Sequence, residues 1–400
     1  MNNSFPCHTQ FTKIYLYIAL IFGVFLYDFI GDQLSFTFID EILVLWIFLF
    51  AIMHKGINRE CRTFILIALF YLVYSFIISS NVYQGILMDF TIQVKPFIAF
   101  YCAYKLNLGL TIKQRKGIKK LVLLLVIIVL IIACVDYDFA MYRLLGHTSR
   151  FATFYEVLGF TYFYCSDRNK KDLFITICIW CIGLLSMRSK CYGFVSISIA
   201  LLYAVKDKHF YKFKLSSICI VIMLIAVMMF AAWDKIYFYL YTGTLQADDI
   251  SDMFARPALY ATSFKILLDY IPFGSGFGSF ACFASREYYS PLYAKYGIDT
   301  VFGLSKEVPE FISDTYYPVL SQFGIIGIIL IFIFFKRRVR TIINSFERNG
   351  NSDWLKISIL FIVFFLIESL SDSTMIQNRG VVIMIIFAMY INEGKHISKE

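Results

Sequence analysis

Twelve apolar runs, each long enough to cross a lipid bilayer as a helix, follow one another along the chain. A spanning helix needs about 20 mostly apolar residues and tolerates about 17. Segments of about ten residues with alternating polarity, which mark membrane β-barrels, are absent. The pattern therefore predicts an all-α, polytopic helical bundle with about 12 transmembrane helices. The runs cover residues 14–30, 38–53, 63–80, 87–104, 120–135, 151–166, 173–187, 191–206, 214–232, 316–335, 354–370 and 376–391.

The spacing of these runs predicts a single integral membrane domain, residues 1–400, with one large loop at residues 233–315 between spans nine and ten. The other connections are short, and the sequence contains no internal repeat. The first run follows Lys13 as a signal segment would. Because no small-residue cleavage site comes after it, we expect a retained anchor.

Composition excludes a soluble protein, since 59% of the residues are hydrophobic, only 16% are charged and the mean hydropathy is +0.69. The net charge of +9 does not indicate nucleic-acid binding, because most of the Lys and Arg residues fall in every second loop. This bias predicts that those loops and both termini are cytoplasmic in a bacterial inner membrane. The loop at 233–315 is then periplasmic.

A few cations lie on the predicted periplasmic side in short turns or in the first turns of spans, where the charge bias disfavours them. These cations are Arg150, Arg188, Lys190 and Arg379. Cations kept at that membrane boundary predict an anionic ligand there. Arginine in particular presents a planar fork that matches phosphate oxygens.

Structural ion pairs are the alternative explanation for the same residues. Arg150 could pair with Glu156 or Asp138 and fix the packing of two helices, and Arg188 and Lys190 could instead extend to the outer lipid headgroups. Arg379 is expected to form a structural pair with Glu368 or Asp372 at the outer end of the last hairpin.

The acidic residues predict no metal site. The acids Asp40 and Glu41 lie at a helix start, where they favour the helix dipole. Lys95, inside a span, either belongs to a functional site or neutralises an acidic partner at a kinked helix. A second acidic cluster is interpreted as solvated loop, because no further ligands converge on it in sequence. That cluster comprises Asp248, Asp249 and Asp252.

The large loop carries the sharpest local pattern of the chain. It begins with an amphipathic segment led by Arg256, continues through the glycine-rich turn IPFGSGFGSF at 271–280, and ends with Asp314 and Tyr316 before SQFGIIG at 321–327. The glycine run is not a nucleotide-binding loop, because no Gly-Lys pair follows it. Its glycines permit a close backbone approach, either to the protein itself or to a substrate.

At these residues the chain resembles the O-antigen polymerase and O-antigen ligase superfamily. The resemblance rests on the order of the Arg-led segment, the glycine turn, a polar site and the FGIIG stretch that opens a span. RSKCYGF at 188–194 resembles the short outer turn of that superfamily, and RFATFYEVLG at 150–159 resembles its Arg-led segment entering an earlier span. The likeness covers roughly residues 145–330.

The resemblance implies a glycosyltransferase that polymerises oligosaccharide repeat units carried on undecaprenyl pyrophosphate at the periplasmic face. Ligases of the superfamily usually carry a histidine where this chain has Asp314, so a polymerase is favoured. A metal-independent inverting transfer without a cofactor is expected. The implied catalytic residues are Asp314, Arg188 and Arg256, and the implied substrate-binding residues are Arg150, Lys190, Gly274, Gly276, Gly278 and Tyr316.

Two other functions remain open at this point. A ligase would transfer the glycan to lipid A core, and a flippase would carry the same lipid-linked sugars across the bilayer. The gathering of charges at one end and the single large outer loop favour an enzyme over a transporter. The expected partners are lipid-linked oligosaccharide and membrane lipids, with no nucleic acid, and the sequence leaves open whether a chain-length regulator protein takes part.

Overall fold

The computed structural model describes residues 8–34, 37–204, 233, 237–245 and 252–396, and throughout these residues the regular structure is helical, without strands. The prediction of an all-α fold is therefore confirmed. The predicted span 214–232 and the acids Asp248 and Asp249 lie outside the described residues. The α-helices are α1 (Thr9–Ile18), α2 (Tyr27–Leu34), α3 (Ile39–Lys55), α4 (Arg59–Ile77), α5 (Tyr83–Leu106), α6 (Ile112–Val135), α7 (Thr148–Cys165), α8 (Lys170–Ile182), α9 (Ser189–Ile199), α10 (Ala255–Asp269), α11 (Phe283–Glu287), α12 (Leu292–Lys295), α13 (Gly324–Asn349), α14 (Ser352–Glu368) and α15 (Asn378–His396).

The protein is a multi-pass membrane protein. Among the described residues, four helical segments are long and apolar enough to cross a membrane, namely Arg59–Ile77, Tyr83–Leu106, Ile112–Val135 and Pro318–Arg348. A fifth is added if Thr9–Phe25 and Tyr27–Gln33, which meet at a 58° bend, form one span. Other predicted spans coincide with helices at the short end of what can cross, such as the 17 residues of α3. The predicted count of 12 spans is therefore not confirmed.

Several helices begin where a polar side chain caps the first turn. The side-chain oxygen of Asn58 accepts a hydrogen bond from the backbone N–H of Cys61 at 2.7 Å, and Asn351 caps α14 in the same way. Thr111 and Gln114 form a reciprocal capping box at the start of α6. These caps satisfy backbone N–H groups that have no partner inside the helix.

Two boundaries differ from the sequence prediction. The apolar run predicted at 316–335 begins with a tight helical turn, Pro318–Phe323, and the following helix α13 continues to Asn349. The basic residues after position 335 therefore lie on the last turns of a long helix rather than in a loop. A helix can continue beyond the end of the apolar run because Lys and Arg are good helix formers in water.

Helix α15 lies at the centre of the bundle and packs against α5 and α7. Its residues from Val381 to Asn392 are all buried. A helix that is apolar on every side is buried on every side. Because α15 touches both the beginning and the middle of the chain, it fixes the positions of the helices that surround the candidate site.

The large loop is held against α5 and the connection between α4 and α5 by hydrogen bonds between side chains and its backbone. The Ser80 hydroxyl donates to the carbonyl oxygen of Phe277 at 2.7 Å, and the Asn81 amide donates to that of Gly278 at 2.6 Å. The backbone N–H of Gly278 in turn donates to the carboxylate of Asp89 at 2.8 Å. The loop is thus docked on the bundle over its glycine-rich turn.

Candidate functional site

A polar cavity of about 1020 Å³ opens where the first turns of α7, α9 and α10 meet the loops that precede α13 and follow α14. It brings together five residues that the sequence predicted for a site although they are spread over 165 positions of the chain. These five residues are Arg150, Arg188, Lys190, Arg256 and Asp314.

Arg188 lies in a sharp turn at the cavity wall. The chain leaves α8 through the tight helical turn Gly183–Ser186, passes through Met187 in a left-handed conformation and begins α9 at Ser189. The Arg188 Nε donates to the hydroxyl of Thr148 at 2.6 Å, and its Nη2 is 2.8 Å from Nε2 of His147. Within the described part of the chain, no carboxylate lies within ion-pair distance of Arg188. Its charge is therefore not neutralised by the groups it touches.

Lys190, two residues further on, is fully engaged by acids. Its Nζ donates to Glu368 at 2.7 Å and to Asp372 at 2.8 Å. The hydroxyl of Ser149 and the amide of Gln377 also donate to Asp372. Burial alone would raise the pKa of Asp372, but Lys190 and the Ser149 hydroxyl hold that pKa well below its usual range. Asp372 therefore stays ionised and keeps Lys190 in place.

Arg150 is held by an acid from another part of the chain. Its Nη1 donates to Asp28 at 2.5 Å, and the second oxygen of Asp28 accepts from Arg379 at 2.6 Å. The predicted pairing of Arg379 with Glu368 or Asp372 is therefore wrong, because Lys190 occupies both of those acids. Arg150 likewise pairs with Asp28 rather than with Glu156. Asp28 comes from α2, far away in sequence, and no local pattern indicates it.

Arg256 and Asp314 form an ion pair in the cavity wall. The Nη2 of Arg256, at the start of α10, donates to Oδ2 of Asp314 at 3.0 Å. Burial raises the pKa of Asp314 above its ordinary value, although Arg256 favours the ionised form and opposes the rise. A half-buried carboxylate with a raised pKa suits proton transfer better than a fully solvated one.

The glycines and Tyr316, predicted as substrate contacts, do not line this cavity. Gly274, Gly276 and Gly278 have φ values of 80°, 83° and 71°, which favour glycine. A Cβ on Gly274 would collide with the backbone of 321–324, and one on Gly278 with the backbone of Gly85. These glycines approach the protein's own backbone closely, and Tyr316 is buried behind them.

His147 lines the cavity and was not singled out from the sequence. Its pKa is lowered to about 4, first because burial disfavours the charged ring and then because Arg188 repels a second positive charge. Its imidazole is therefore neutral at physiological pH. The available signal was its position directly before the Arg-led segment at 150–159, in a chain with only five histidines.

Other cavity residues were likewise not predicted for the site, because they come from α10, from α11 and from connections that are distant in sequence. They are Tyr260, Arg286, Glu310, Asp372 and Gln377. Over the described ranges, no three acidic, histidine or cysteine side chains are grouped so as to hold a metal ion. The cavity as described can bind an anion through its cations and exchange a proton through Asp314.

Comparison with known protein families now bears directly on these residues. Residues 173–332 match the family model described as O-Antigen ligase. This segment is an O-antigen ligase-like domain. The resemblance to the O-antigen polymerase and ligase superfamily is therefore confirmed, although the segment at 150–159 lies outside the match. A search of curated proteins gives no match to the chain.

The O-antigen ligase-like domain supplies Arg188, Lys190, Arg256 and Asp314 to the cavity. Further cavity residues come from either side of it, with Arg150 from the preceding α7 and Asp372 from the loop after α14. The flanking helices are therefore part of the site and not only its support.

Proposed function

We propose that the protein is a polysaccharide polymerase of the O-antigen type. It transfers a glycan chain from undecaprenyl pyrophosphate to a non-reducing-end hydroxyl of a second lipid-linked repeat unit. The observation that carries the proposal is the convergence of several cations on one cavity, of which Arg188 has no acidic partner among the described residues. An uncompensated arginine at a wide polar cavity favours a ligand with phosphate oxygens.

The proposed reaction uses Asp314 and two of the cavity arginines. The acceptor hydroxyl oxygen attacks the anomeric carbon, the bond from that carbon to the pyrophosphate oxygen breaks, and the electron pair leaves with the pyrophosphate. Asp314 takes the hydroxyl proton as general base, which its raised pKa favours. Arg188 and Arg256 stabilise the charge that develops on the leaving group. Attack on the face opposite the leaving group inverts the anomeric configuration.

A ligase is the second candidate, and two observations favour it. The family model that matches is described as O-Antigen ligase, and the cavity contains a neutral histidine, His147. A neutral imidazole is a common general base. In a ligase the acceptor would be lipid A core instead of a lipid-linked repeat unit.

We further propose that the cavity opens to the periplasm of a bacterial inner membrane and that both termini are cytoplasmic. The support is the charge bias of the loops. The exposed residues Lys306 and Lys113 provide the test. As single cysteines in a cysteine-free protein, the first should react with an impermeant reagent added to intact spheroplasts and the second should not, and the reverse result would overturn this orientation.

Reconstitution of the purified protein with lipid-linked repeat units tests the function. We expect a ladder of glycan lengths, made in the presence of EDTA as well as in its absence. Transfer to added lipid A core without a ladder would support the ligase. If neither product formed, the flippase would be favoured instead.

The decisive variant is Asp314→Asn, which keeps the shape of the side chain but cannot accept a proton. We expect it to fold and bind donor yet form no polymer. The control is Glu307→Gln, an exposed residue of the same loop outside the cavity, which should polymerise normally. Near-normal polymer from Asp314→Asn would remove Asp314 from the mechanism. Activity lost to EDTA and restored by magnesium would indicate a metal-dependent reaction and make the acids near position 250 the candidate metal ligands.

A further inference from the structure

A second, largely apolar groove of about 470 Å³ lies between α4 and α13, with α5 as its floor. Its walls are aliphatic and aromatic side chains such as Ile67, Phe97 and Leu330. Apolar residues on both rims are exposed, including Leu66 at 61% and Phe332 at 65%. In a membrane protein these rims face lipid, so the groove opens sideways into the bilayer.

One end of the groove is positively charged. Arg59, at the first turn of α4, and Arg337, on α13, both line this end. The one acid beside them, Glu60, already accepts from the buried Arg338 at 2.7 Å. Neither Arg59 nor Arg337 has an acidic partner in the part of the chain that the structure describes. Two uncompensated arginines at the mouth of an apolar groove are complementary to an anion that carries an apolar tail.

The length of the groove matches one leaflet of a bilayer. Along α4 it runs from Arg59 to Tyr71, which is about 18 Å at the rise of an α-helix, and along α13 from Gly327 to Arg337, about 15 Å. Half of a hydrocarbon core is about 15 Å. An acyl chain from one leaflet therefore fits along the groove while its headgroup stays at the membrane surface.

We propose that this groove binds an anionic phospholipid, with an acyl chain between α4 and α13 and the headgroup phosphate on Arg59 and Arg337. The site is separate from the polar cavity, because Asp314 precedes α13 whereas Arg337 lies roughly 20 Å along that helix. The lipid would bridge α4 and α13 along the groove. The proposal does not depend on the reaction proposed above.

Native mass spectrometry of the purified full-length protein tests the site. The probes are phosphatidylglycerol, phosphatidylcholine with the same acyl chains, and glycerol phosphate without chains. We expect one retained phosphatidylglycerol per protein and a preference of roughly 25-fold over phosphatidylcholine, about fivefold for each arginine. Glycerol phosphate should not be retained. Equal retention of the two lipids, or retention of glycerol phosphate, would overturn the proposal. A dimer that carries no lipid would also overturn it, because a second copy of the chain would then cover the groove.

Two pairs of variants separate headgroup from tail. Arg59→Gln with Arg337→Gln should reduce the preference to near one, whereas Arg62→Gln with Arg340→Gln should not, because those exposed arginines occupy the same helices outside the groove. Ile67→Trp fills the groove and should abolish retention of both lipids. Leu66→Trp adds the same bulk to the exposed rim and should not. If either test pair behaves as its control pair, the assignment is wrong.

Discussion

Two buried lysines, Lys95 and Lys190, have nearly the same immediate surroundings but lie in different kinds of site. Each is less than 10% exposed and contacts two carboxylates, Asp40 and Glu41 in one case, Glu368 and Asp372 in the other. The void beside Lys95 is about 310 Å³ and mostly apolar. The cavity beside Lys190 is about 1020 Å³ and is lined by five cations and three carboxylates.

The surroundings of Lys95 and Lys190 differ in whether a cation is left without an acidic partner. At Lys95 the two acids have one cation between them, so no positive charge is left for a ligand. At the polar cavity Lys190 occupies Glu368 and Asp372, which leaves Arg188 two residues away with only neutral partners. A buried lysine in a membrane protein therefore indicates a binding site only when a neighbouring cation is left without an acid.

The largest effect should come from Arg188, the uncompensated cation. Arg188→Ala should lower polymerisation by about 100- to 1000-fold, the usual cost of removing one donor that stabilises developing negative charge. Arg188→Lys should also lose most activity, because an ammonium group lacks the planar fork.

Initial rates with lipid-linked repeat units measure this loss, together with thermal unfolding to check the fold. Arg143→Ala, which alters an exposed arginine outside the cavity, should keep its activity. Full activity of Arg188→Ala would mean that the comparison of the two lysines has no bearing on function.

An intermediate effect is expected when either lysine is removed. Lys95→Met and Lys190→Met should each lower the free energy of unfolding by about 3–5 kcal/mol, because each leaves buried carboxylates without their cation. Only Lys190→Met should also lower the rate per folded molecule, since Lys190 lines the cavity and Lys95 does not.

Chemical unfolding in detergent and the rate per folded protein measure the two effects separately. Adding Glu368→Gln and Asp372→Asn to Lys190→Met should restore part of the stability without restoring activity. Equal rates for the two single variants would erase the distinction between a structural and a functional ion pair.

The smallest effect is a shift in pH dependence. Asp314 must be ionised to act as a base, so the rate should fall as the pH drops through its raised pKa. Arg256 opposes that rise, so in Arg256→Gln the pKa should rise further and the acid limb of the rate profile should move to higher pH. Rate profiles between pH 4 and 8 measure the shift, and an unchanged acid limb would show that Asp314 does not govern it.

Much of the fold could be predicted from the sequence because a membrane imposes one strong local rule. Backbone groups in hydrocarbon must be paired within the segment, so each long apolar run becomes a helix, as Arg59–Ile77 and Ile112–Val135 illustrate. Three of the cavity cations, Arg150, Arg188 and Lys190, could also be predicted, since they stand out against the charge bias. Both inferences use only neighbouring residues.

What could not be predicted depends on contacts between distant parts of the chain. The partner of Arg150 is Asp28, separated from it by 122 positions, and no local pattern selects Asp28 over the nearer Glu156. The glycine-rich turn shows the same limit. Its positive φ values could be inferred from composition, but whether its backbone approaches a substrate or Gly85 depends on how the loop docks.

The link from α2 to α15 has a consequence for how the chain is assembled during synthesis. Arg379 reaches Asp28 over 351 positions, and the neighbouring Asn378 donates to the carbonyl oxygen of Gly23 at 2.6 Å. At about 5–20 residues per second, translation separates the two partners by roughly 20 to 70 s. A lone charge at the centre of a bilayer costs about 3 kcal/mol. During that interval this cost favours a position of Asp28 near the membrane surface. The wall of the cavity that carries Arg150 is then completed only after α15 has been synthesised.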